Sequence, residues 1–226
     1  MTSSSSITST IPTTGAAEFR NHRVRGRFNA AFFRVMEPVL ESSLGERKQR
    51  LFAGLRERVV EIGPGVGANL RYLPAGSTLV AIEPNRYMHA QLRAEAKRRG
   101  VRLDLREALA ERTGLPTGSI DCVISSLVLC TVHDPVEVLA EIRQILKPGG
   151  TFRFVEHVAA EAGTVTRAAQ RLLRRPWAWT FEGCSCERDL AQVIRSAGFS
   201  RVELERYAIR TPFVPFNTHI AGIAYA

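Results

Sequence analysis

A carboxylate and three glycines stand close together in the stretch VVEIGPGVGANLRYLP, residues 59–74. Glu61 lies two residues before Gly63, and Gly65 and Gly67 follow at alternate positions. β-Branched residues before the glycines favour a buried strand and the residues after them favour a helix, so the glycines occupy a tight strand-to-helix turn. Glycine permits positive φ and brings bare backbone against a ligand, and the helix behind it presents unpaired N–H groups. The pattern predicts a site for a small molecule.

Two carboxylates indicate which ligand this turn binds. The next strand, LVAIEPN, ends in Glu83, where a carboxylate can accept both hydroxyl protons of a ribose, as NAD and S-adenosylmethionine both require. Gly63, Gly65 and Ala68 also satisfy the G-x-G-x-x-G/A pattern of nicotinamide-binding folds, so spacing alone leaves both ligands open. Glu61 favours S-adenosylmethionine, because a fixed negative charge repels a diphosphate but attracts an ammonium and a sulfonium. The alternative for Glu61 is a carboxylate that caps the amides of its own turn.

The elements that must position these residues alternate between strand and helix. We predict strands near 58–62, 78–82, 101–106, 120–126 and 151–156, and helices near 66–73, 86–99, 136–146 and 187–197. The last two apolar runs, RVELERYAI and HIAGIAYA, have no full helix between them and predict an antiparallel closing pair. This order predicts an α/β fold, a mostly parallel sheet with helices on both faces and ligands at the carboxyl ends of the strands.

Three regions follow along the chain. Residues 1–17 are rich in Ser and Thr and lack the basic and apolar segments of a secretory signal, which predicts a disordered tail. Residues 18–55 carry apolar residues at helical spacing and predict a basic helical appendage, interrupted at Pro38. Residues 56–226 form the main domain, and no window approaches the roughly eighteen consecutive apolar residues of a membrane span.

Charge and cysteine content limit the possible partners. The net charge of +9 comes from 31 Lys and Arg against 22 Asp and Glu, spread over predicted helix faces and not interleaved with aromatic residues, so we expect no nucleic-acid partner. An acidic lipid surface or acidic substrate is the alternative interpretation of the basic clusters. The four cysteines lack metal-finger spacing, which predicts buried thiols, no metal site and a cytoplasmic, reducing compartment.

Four segments together resemble a class I S-adenosylmethionine-dependent methyltransferase: VVEIGPGVG, AIEPN, LPTGSIDCVISSLVLCTVHDP and QILKPGGTFRFVEHV. The resemblance covers roughly residues 55–226. Within that superfamily, SSLVLCTV, VEHVAAE and RPWAWTFEGCSCERDL are similar to the methyltransferase-like thiol S-methyltransferases, whose eukaryotic members methylate alkyl thiols. The resemblance to class I methyltransferases implies a Rossmann-like, seven-stranded sheet with a reversed terminal hairpin. We expect no counterpart here of the membrane-anchoring N-terminal helix of the eukaryotic members.

The resemblance also implies a set of cofactor contacts. The set comprises Glu61, Gly63, Gly65, Gly67, Glu83 and Pro84 at the first two strands, Ala110 and Glu111 for the adenine, and Ser126 and Leu127 for the methionyl part. The segment EALAERTGLP has one residue more than the usual A-E-x-L-P pattern, so the adenine contacts are assigned only to within a residue.

The acceptor side offers one candidate base. His157 follows the fifth predicted strand, and an imidazole there would raise the reactive fraction of a thiol, whose pKa is ordinarily about 8.5. The alternative is a histidine that holds a loop through a buried hydrogen bond. His133 and Asp134 follow the fourth strand and either line the pocket or form an ordinary turn and helix start.

Aromatic residues follow the fifth strand in RPWAWTFEGC, which we interpret as a loop. Trp177, Trp179 and Phe181 either pack as a lid or form a wall for an apolar acceptor.

Three functions remain open from the sequence. The first is methylation of a small molecule, with a thiol favoured over a hydroxyl or amine. The second is methylation of a phospholipid, a quinone or another lipophilic acceptor, with the basic N-terminal helix at a membrane surface. The third is a nicotinamide-binding or nucleotide-sensing domain. The sequence does not indicate the oligomeric state.

Overall fold

The computed structural model describes Phe19 and residues 21–226, and the predicted tail at 1–17 lies outside this part of the chain. Seven strands form one sheet in the order β3-β2-β1-β4-β5-β7-β6. The strands are β1 (Arg58–Ile62), β2 (Thr78–Ile82), β3 (Arg102–Arg106), β4 (Ile120–Ser126), β5 (Leu146–His157), β6 (Arg201–Ala208) and β7 (Thr218–Tyr225). The strands β1 to β5 pair in parallel, whereas β7 is antiparallel to both β5 and β6. The predicted Rossmann-like sheet with its reversed terminal hairpin is confirmed.

In residues 21–226, five α-helices accompany the sheet: α1 (Arg23–Leu51), α2 (Arg86–Arg99), α3 (Pro135–Ile145), α4 (Val165–Thr180) and α5 (Leu190–Ser196). The predicted helix at 66–73 is a short 3₁₀ helix, Ala68–Tyr72. No helix in the described part of the chain has both the length and the apolar character needed to cross a bilayer.

Side chains from alternate strand positions pack on opposite faces of the sheet. On one face, Val60 and Val80 pack with Leu139 of α3, and on the other, Val59 and Leu79 join a cluster with α2. Strands covered on both faces are almost wholly apolar, which is why these segments read as continuous Val and Ile runs in the sequence.

The expected interruption of the N-terminal helix at Pro38 was wrong. The helix α1 is continuous from Arg23 to Leu51 with Pro38 inside it. Glu37 and Glu41 both pair with Arg71, on either side of the proline. We attribute the continuity to these tertiary contacts, which offset the hydrogen bond that proline removes.

The segment RPWAWT is helical, so the expectation of a loop was wrong. It forms the last turns of α4, which begins behind Thr164, whose hydroxyl accepts a hydrogen bond from Arg167 N. Ala, Leu, Gln and Arg dominate the first turns, and their high helix propensity carries the helix to Pro176 and beyond. The aromatic residues Trp177 and Trp179 therefore lie on two faces of one helix.

Candidate active site

The glycine turn after β1 contains one position that faces open space. Gly63, Gly65 and Gly67 all have positive φ, between 57° and 93°. A Cβ built on Gly63 would lie 2.5 Å from a methyl of Val128, and one on Gly67 would also meet packed side chains, so these two positions are needed for close packing. Among the described residues, a Cβ on Gly65 would find only Met88 Sδ within 4 Å, at 3.4 Å. Gly65 is therefore where backbone is left bare for a ligand.

Glu83, at the end of β2, holds this turn in place. One carboxylate oxygen accepts a hydrogen bond from Gly65 N at 2.9 Å, and the other accepts one from Asn85 N at 2.8 Å. Burial raises the pKa of Glu83 to about 7, against the lowering effect of these two bonds. A carboxylate has about four lone-pair positions, so two remain for the hydroxyls of a ribose.

Glu61 is buried at the end of β1 beside the turn. Its Oε1 accepts a hydrogen bond from Asn69 Nδ2 at 2.6 Å, whereas its Oε2 is buried and has no partner among the residues that the structure describes. The capping alternative predicted hydrogen bonds from the amides of the turn, and within the described chain none reaches Glu61. Burial raises the pKa of Glu61 to about 7, opposed by Asn69 and by the charge of Lys48. An unpaired buried carboxylate oxygen is expected where a ligand donor belongs.

Sequence reasoning missed Asn69 and Lys48. Asn69 is a polar residue in the first turn behind Gly67, a local signal that could have been used. Lys48 lies on α1, and its burial lowers its pKa. No local pattern indicates that this helix reaches Glu61.

The predicted adenine contacts, Ala110 and Glu111, lie in the segment between β3 and β4. Ala110 is buried in the core cluster of that face. Glu111 Oε1 accepts hydrogen bonds from the backbone N–H groups of His133 at 3.1 Å and Asp134 at 3.3 Å. The carboxylate of Asp134 caps α3, so this residue forms the helix start that the sequence analysis gave as one alternative.

Ser126, the last residue of β4, and Leu127, which follows it, are the predicted methionyl contacts. Leu127 has a φ of 62°, a left-handed conformation that is costly for a leucine and that clusters at ligand sites. Glu156 of β5 holds the loop behind it, because its carboxylate accepts bonds from Val128 N at 2.9 Å and Leu129 N at 3.0 Å. Ser126 Oγ is buried without a partner in the described chain.

The helix α1 packs across this region. Asn21, just before it, donates to the carbonyl of Pro84 at 3.2 Å, and Asn29 donates to the carbonyl of Thr180 at 2.9 Å. Gly26 lies against the ring of Tyr87. The helix therefore joins the β2–α2 turn to the end of α4.

His157, at the end of β5, is fully buried. Its Nε2 lies 2.8 Å from the carbonyl oxygen of Pro215, which can only accept, so Nε2 carries the proton and Nδ1 the lone pair. Nδ1 lies 3.7 Å from Cys184 Sγ. The loop-holding hydrogen bond is thus present, and the role of general base stays a prediction.

The aromatic residues behind β5 differ in their surroundings. Trp177 and Phe181 pack on the core cluster with their ring centroids 4.6 Å apart, whereas Trp179 is mostly exposed. The first two therefore cover the core next to His157, and Trp179 does not.

Bare backbone at Gly65, the free lone pairs of Glu83 and the unpaired Oε2 of Glu61 fit the ribose and the cationic methionyl end of S-adenosylmethionine. The family described as methyltransferase domain matches residues 60–154. Human thiol S-methyltransferase TMT1B is 30% identical over 202 residues, which cover 84% of this chain and 82% of that protein. The chain belongs to the class I S-adenosylmethionine-dependent methyltransferases. It is an enzyme, and its cofactor is S-adenosylmethionine, which decides between the two ligands that the glycine spacing left open.

Two further comparisons agree with this methyltransferase assignment. Rat thiol S-methyltransferase TMT1B is 32% identical over 189 residues, which cover 79% of this chain and 78% of that protein. The crystal structure of a SAM-dependent methyltransferase from Thermotoga maritima, described as a possible histamine N-methyltransferase, superposes with a TM-score of 0.65. The superposition covers 89% of this chain and 98% of that one, at 18% sequence identity. At this identity the similarity supports only the fold.

Proposed function

We propose that this methyltransferase transfers the methyl group to the sulfur of a small thiol. The observation that carries the proposal is the similarity to proteins named thiol S-methyltransferases, which extends over about four fifths of the chain at 30% to 32% identity. The segments SSLVLCTV, VEHVAAE and RPWAWTFEGCSCERDL, which contain Cys130, His157 and Cys184, also resemble this group.

The residues of the chain have three tasks in this reaction. Glu61 and Glu83 bind the charged and ribose parts of the cofactor, and the bare backbone at Gly65 lets it approach. The cofactor supplies a methyl group already activated on a sulfonium, so alignment of the acceptor sulfur and exclusion of water are what remains. We assign the exclusion of water to α1 and to the packed aromatic pair Trp177 and Phe181.

We assign the acceptor side to the loop after β4 and the end of α4, whose side chains are apolar or bear sulfur. Val128, Cys130 and Trp177 pack in one apolar cluster, and Cys130 is buried there. A small alkyl or aryl thiol loses little solvation on entering such surroundings, whereas an amine that is charged at neutral pH would be penalised. This difference favours a thiol over an amine.

A product assay tests the proposal. Purified protein is incubated with S-adenosylmethionine labelled on its methyl group and with a matched panel of one alkyl thiol, one aryl thiol, one phenol and one primary amine. We expect label in the thioethers and little in the other products. Methylation of the phenol or amine with neither thiol methylated would refute the thiol acceptor. The Glu83→Ala variant serves as the control for non-enzymatic transfer.

A second candidate, methylation of a lipophilic acceptor at a membrane surface, is favoured by one feature of α4. Val165, Leu172 and Trp179 recur every seven residues along one face of this helix and are 82%, 80% and 64% exposed. Arg171 and Arg175 lie beside this stripe. An exposed apolar stripe beside arginines is typical of a helix that lies in the interface of an acidic membrane.

Vesicle co-sedimentation tests this candidate. Wild-type protein should sediment with phosphatidylcholine vesicles that contain phosphatidylserine, and a Leu172→Glu and Trp179→Glu double variant should not. Val136→Glu is the matched control, because Val136 is also exposed but lies at the start of α3. Equal sedimentation of the double variant and the control would reject α4 as the contact surface.

A further inference from the structure

Two cysteines and a histidine converge in the buried region behind the ends of β4 and β5. Cys130 comes from the loop after β4, His157 from the end of β5 and Cys184 from the segment between α4 and α5. The Sγ atoms of the two cysteines are 3.4 Å apart, and Cys184 Sγ is 3.7 Å from His157 Nδ1. All three side chains are buried, and their donor atoms lie within 4.8 Å of one another. No local pattern in the sequence indicates this group, because the two cysteines are 54 positions apart.

The neighbours of the group orient its donor atoms. The hydrogen bond of His157 Nε2 to the carbonyl of Pro215 leaves Nδ1 as the ring nitrogen nearest Cys184 Sγ. Gln170 Nε2 donates to the same carbonyl at 3.0 Å and so fixes its position. A histidine that ligates a metal almost always donates its other N–H to a carboxylate or backbone carbonyl. Trp177 Nε1 lies 3.4 Å from Cys184 Sγ, where it can donate to a thiolate.

We propose that Cys130, His157 and Cys184 bind a zinc ion. Tetrahedral zinc with bonds of about 2.3 Å to sulfur and 2.0–2.1 Å to nitrogen places two sulfurs about 3.8 Å apart and a sulfur and a nitrogen about 3.6 Å apart. The observed 3.4 Å and 3.7 Å are within a few tenths of an ångström of these separations.

Charge and ligand type also suit zinc. Two thiolates and one dication sum to zero, so the filled site places no net charge in the core. Two sulfurs and one imidazole nitrogen form a soft, mixed donor set that zinc accepts and that magnesium and calcium avoid. The ion would tie together three segments that are distant in sequence.

The proposal has a consequence for His157. With Nε2 bonded to Pro215 and Nδ1 bonded to zinc, the ring has no nitrogen left to take a proton from a substrate. Zinc binding and a general-base role for His157 therefore exclude each other.

The metal content of the full chain tests the site without any assay of methyl transfer. The protein is expressed in zinc-supplemented medium, any histidine tag is removed, and zinc is measured by mass spectrometry. We expect about one zinc per chain. After chelation, cobalt(II) should restore one equivalent and produce the intense near-ultraviolet charge-transfer band of a cobalt–thiolate bond.

Paired cysteine variants assign the ligands. Cys130→Ser and Cys184→Ser should weaken cobalt binding by more than tenfold and diminish the charge-transfer band, whereas Cys186→Ser should retain both. Cys186 is the matched control, because it is buried two residues from Cys184 and lies outside the group. If circular dichroism shows that either ligand variant is unfolded, the zinc content and cobalt uptake of the wild-type protein still decide whether the site exists.

Three outcomes would overturn the proposal. The first is wild-type protein that neither contains zinc nor takes up cobalt after reduction. The second is a loss of metal in Cys186→Ser equal to that in Cys184→Ser. The third is metal-free protein with a Cys130–Cys184 disulfide, which would identify the group as a thiol pair. A failure of the thiol product assay would leave these readouts unchanged.

Discussion

Glu83 accepts a hydrogen bond from the backbone N–H of Gly65 at 2.9 Å, so the end of the second strand fixes the turn that follows the first. This bond couples the two predicted parts of the cofactor site. The same carboxylate holds the glycine turn in shape and keeps lone pairs for the ligand.

The coupling makes Glu83→Ala a test of both roles. We expect S-adenosylmethionine affinity to fall more than tenfold, because charge-assisted ribose hydrogen bonds contribute about 1.5–3 kcal/mol. Thermal stability should fall as well, since two backbone N–H groups lose their acceptor. Titration calorimetry and thermal melts measure the two effects, with Glu107→Ala, an exposed carboxylate after β3, as the control. Unchanged affinity for S-adenosylmethionine would show that Glu83 does not contact the cofactor.

Gly65→Val should abolish cofactor binding in a protein that remains folded. The valine would occupy the open space beside Met88, and its positive φ adds strain. Gly76→Val is the matched control, because Gly76 also has positive φ, at 82°, and a Cβ there meets nothing within 4 Å. Calorimetry paired with circular dichroism compares the two. If both variants bind the cofactor alike, the turn is not the binding surface.

Cofactor affinity should rise with pH up to about pH 7. The pKa values of Glu61 and Glu83 lie near 7 in the free protein, and a cationic ligand or hydroxyl donors favour the ionised carboxylates. Below pH 7 binding must expel a proton from each group, so affinity falls by up to about tenfold per pH unit for each. Glu61→Gln should flatten part of this profile and leave the part due to Glu83. A profile that Glu61→Gln leaves unchanged would exclude Glu61 as a contact of the cationic end.

Glu61 should also shape the stability of the free protein. Its pKa is raised from 4.5 to about 7, so between these values the folded state keeps a proton that the unfolded state has lost. The free energy of unfolding therefore decreases as pH rises from about 5 to 7, by roughly 2 kcal/mol for this group. Urea unfolding at pH 5 and pH 8 should show a smaller decrease in Glu61→Gln than in the wild type. An equal decrease in both proteins would contradict the assignment.

A contrast between two thiols tests His157. If His157 is a general base, His157→Ala should lower turnover of a high-pKa alkyl thiol by about 10²-fold and affect a low-pKa aryl thiol much less. Damage to cofactor binding or to the loop at Pro215 would lower both alike. Equal losses with cofactor affinity intact would reject the base and support a role in positioning. Steady-state kinetics with both thiols measures the contrast.

The sequence by itself determined the strands and the glycine turn, because both depend on local patterns. The β-branched runs before Gly63 and Glu83 fix two strand ends, and in a parallel sheet adjacent strand ends meet at one edge. The bounds of α2 and α3 follow similarly from the helical spacing of their apolar residues and from the capping residues Asn85 and Asp134. The apolar runs RVELERYAI and HIAGIAYA, with no full helix between them, likewise predicted the antiparallel closing pair, and the family resemblance implied the same seven-stranded sheet.

Only the tertiary structure decided how distant segments meet. The burial of Lys48 near Glu61, the continuity of α1 through Pro38 and the convergence of Cys130 with Cys184 depend on contacts between residues far apart along the chain. Local propensity carries no signal for such contacts, because their free energy arises from packing and electrostatics that exist only in the folded state. His157 shows the limit most clearly: the sequence placed it at the end of a strand, but the carbonyl of Pro215, 58 positions away, determines which of its nitrogens is free.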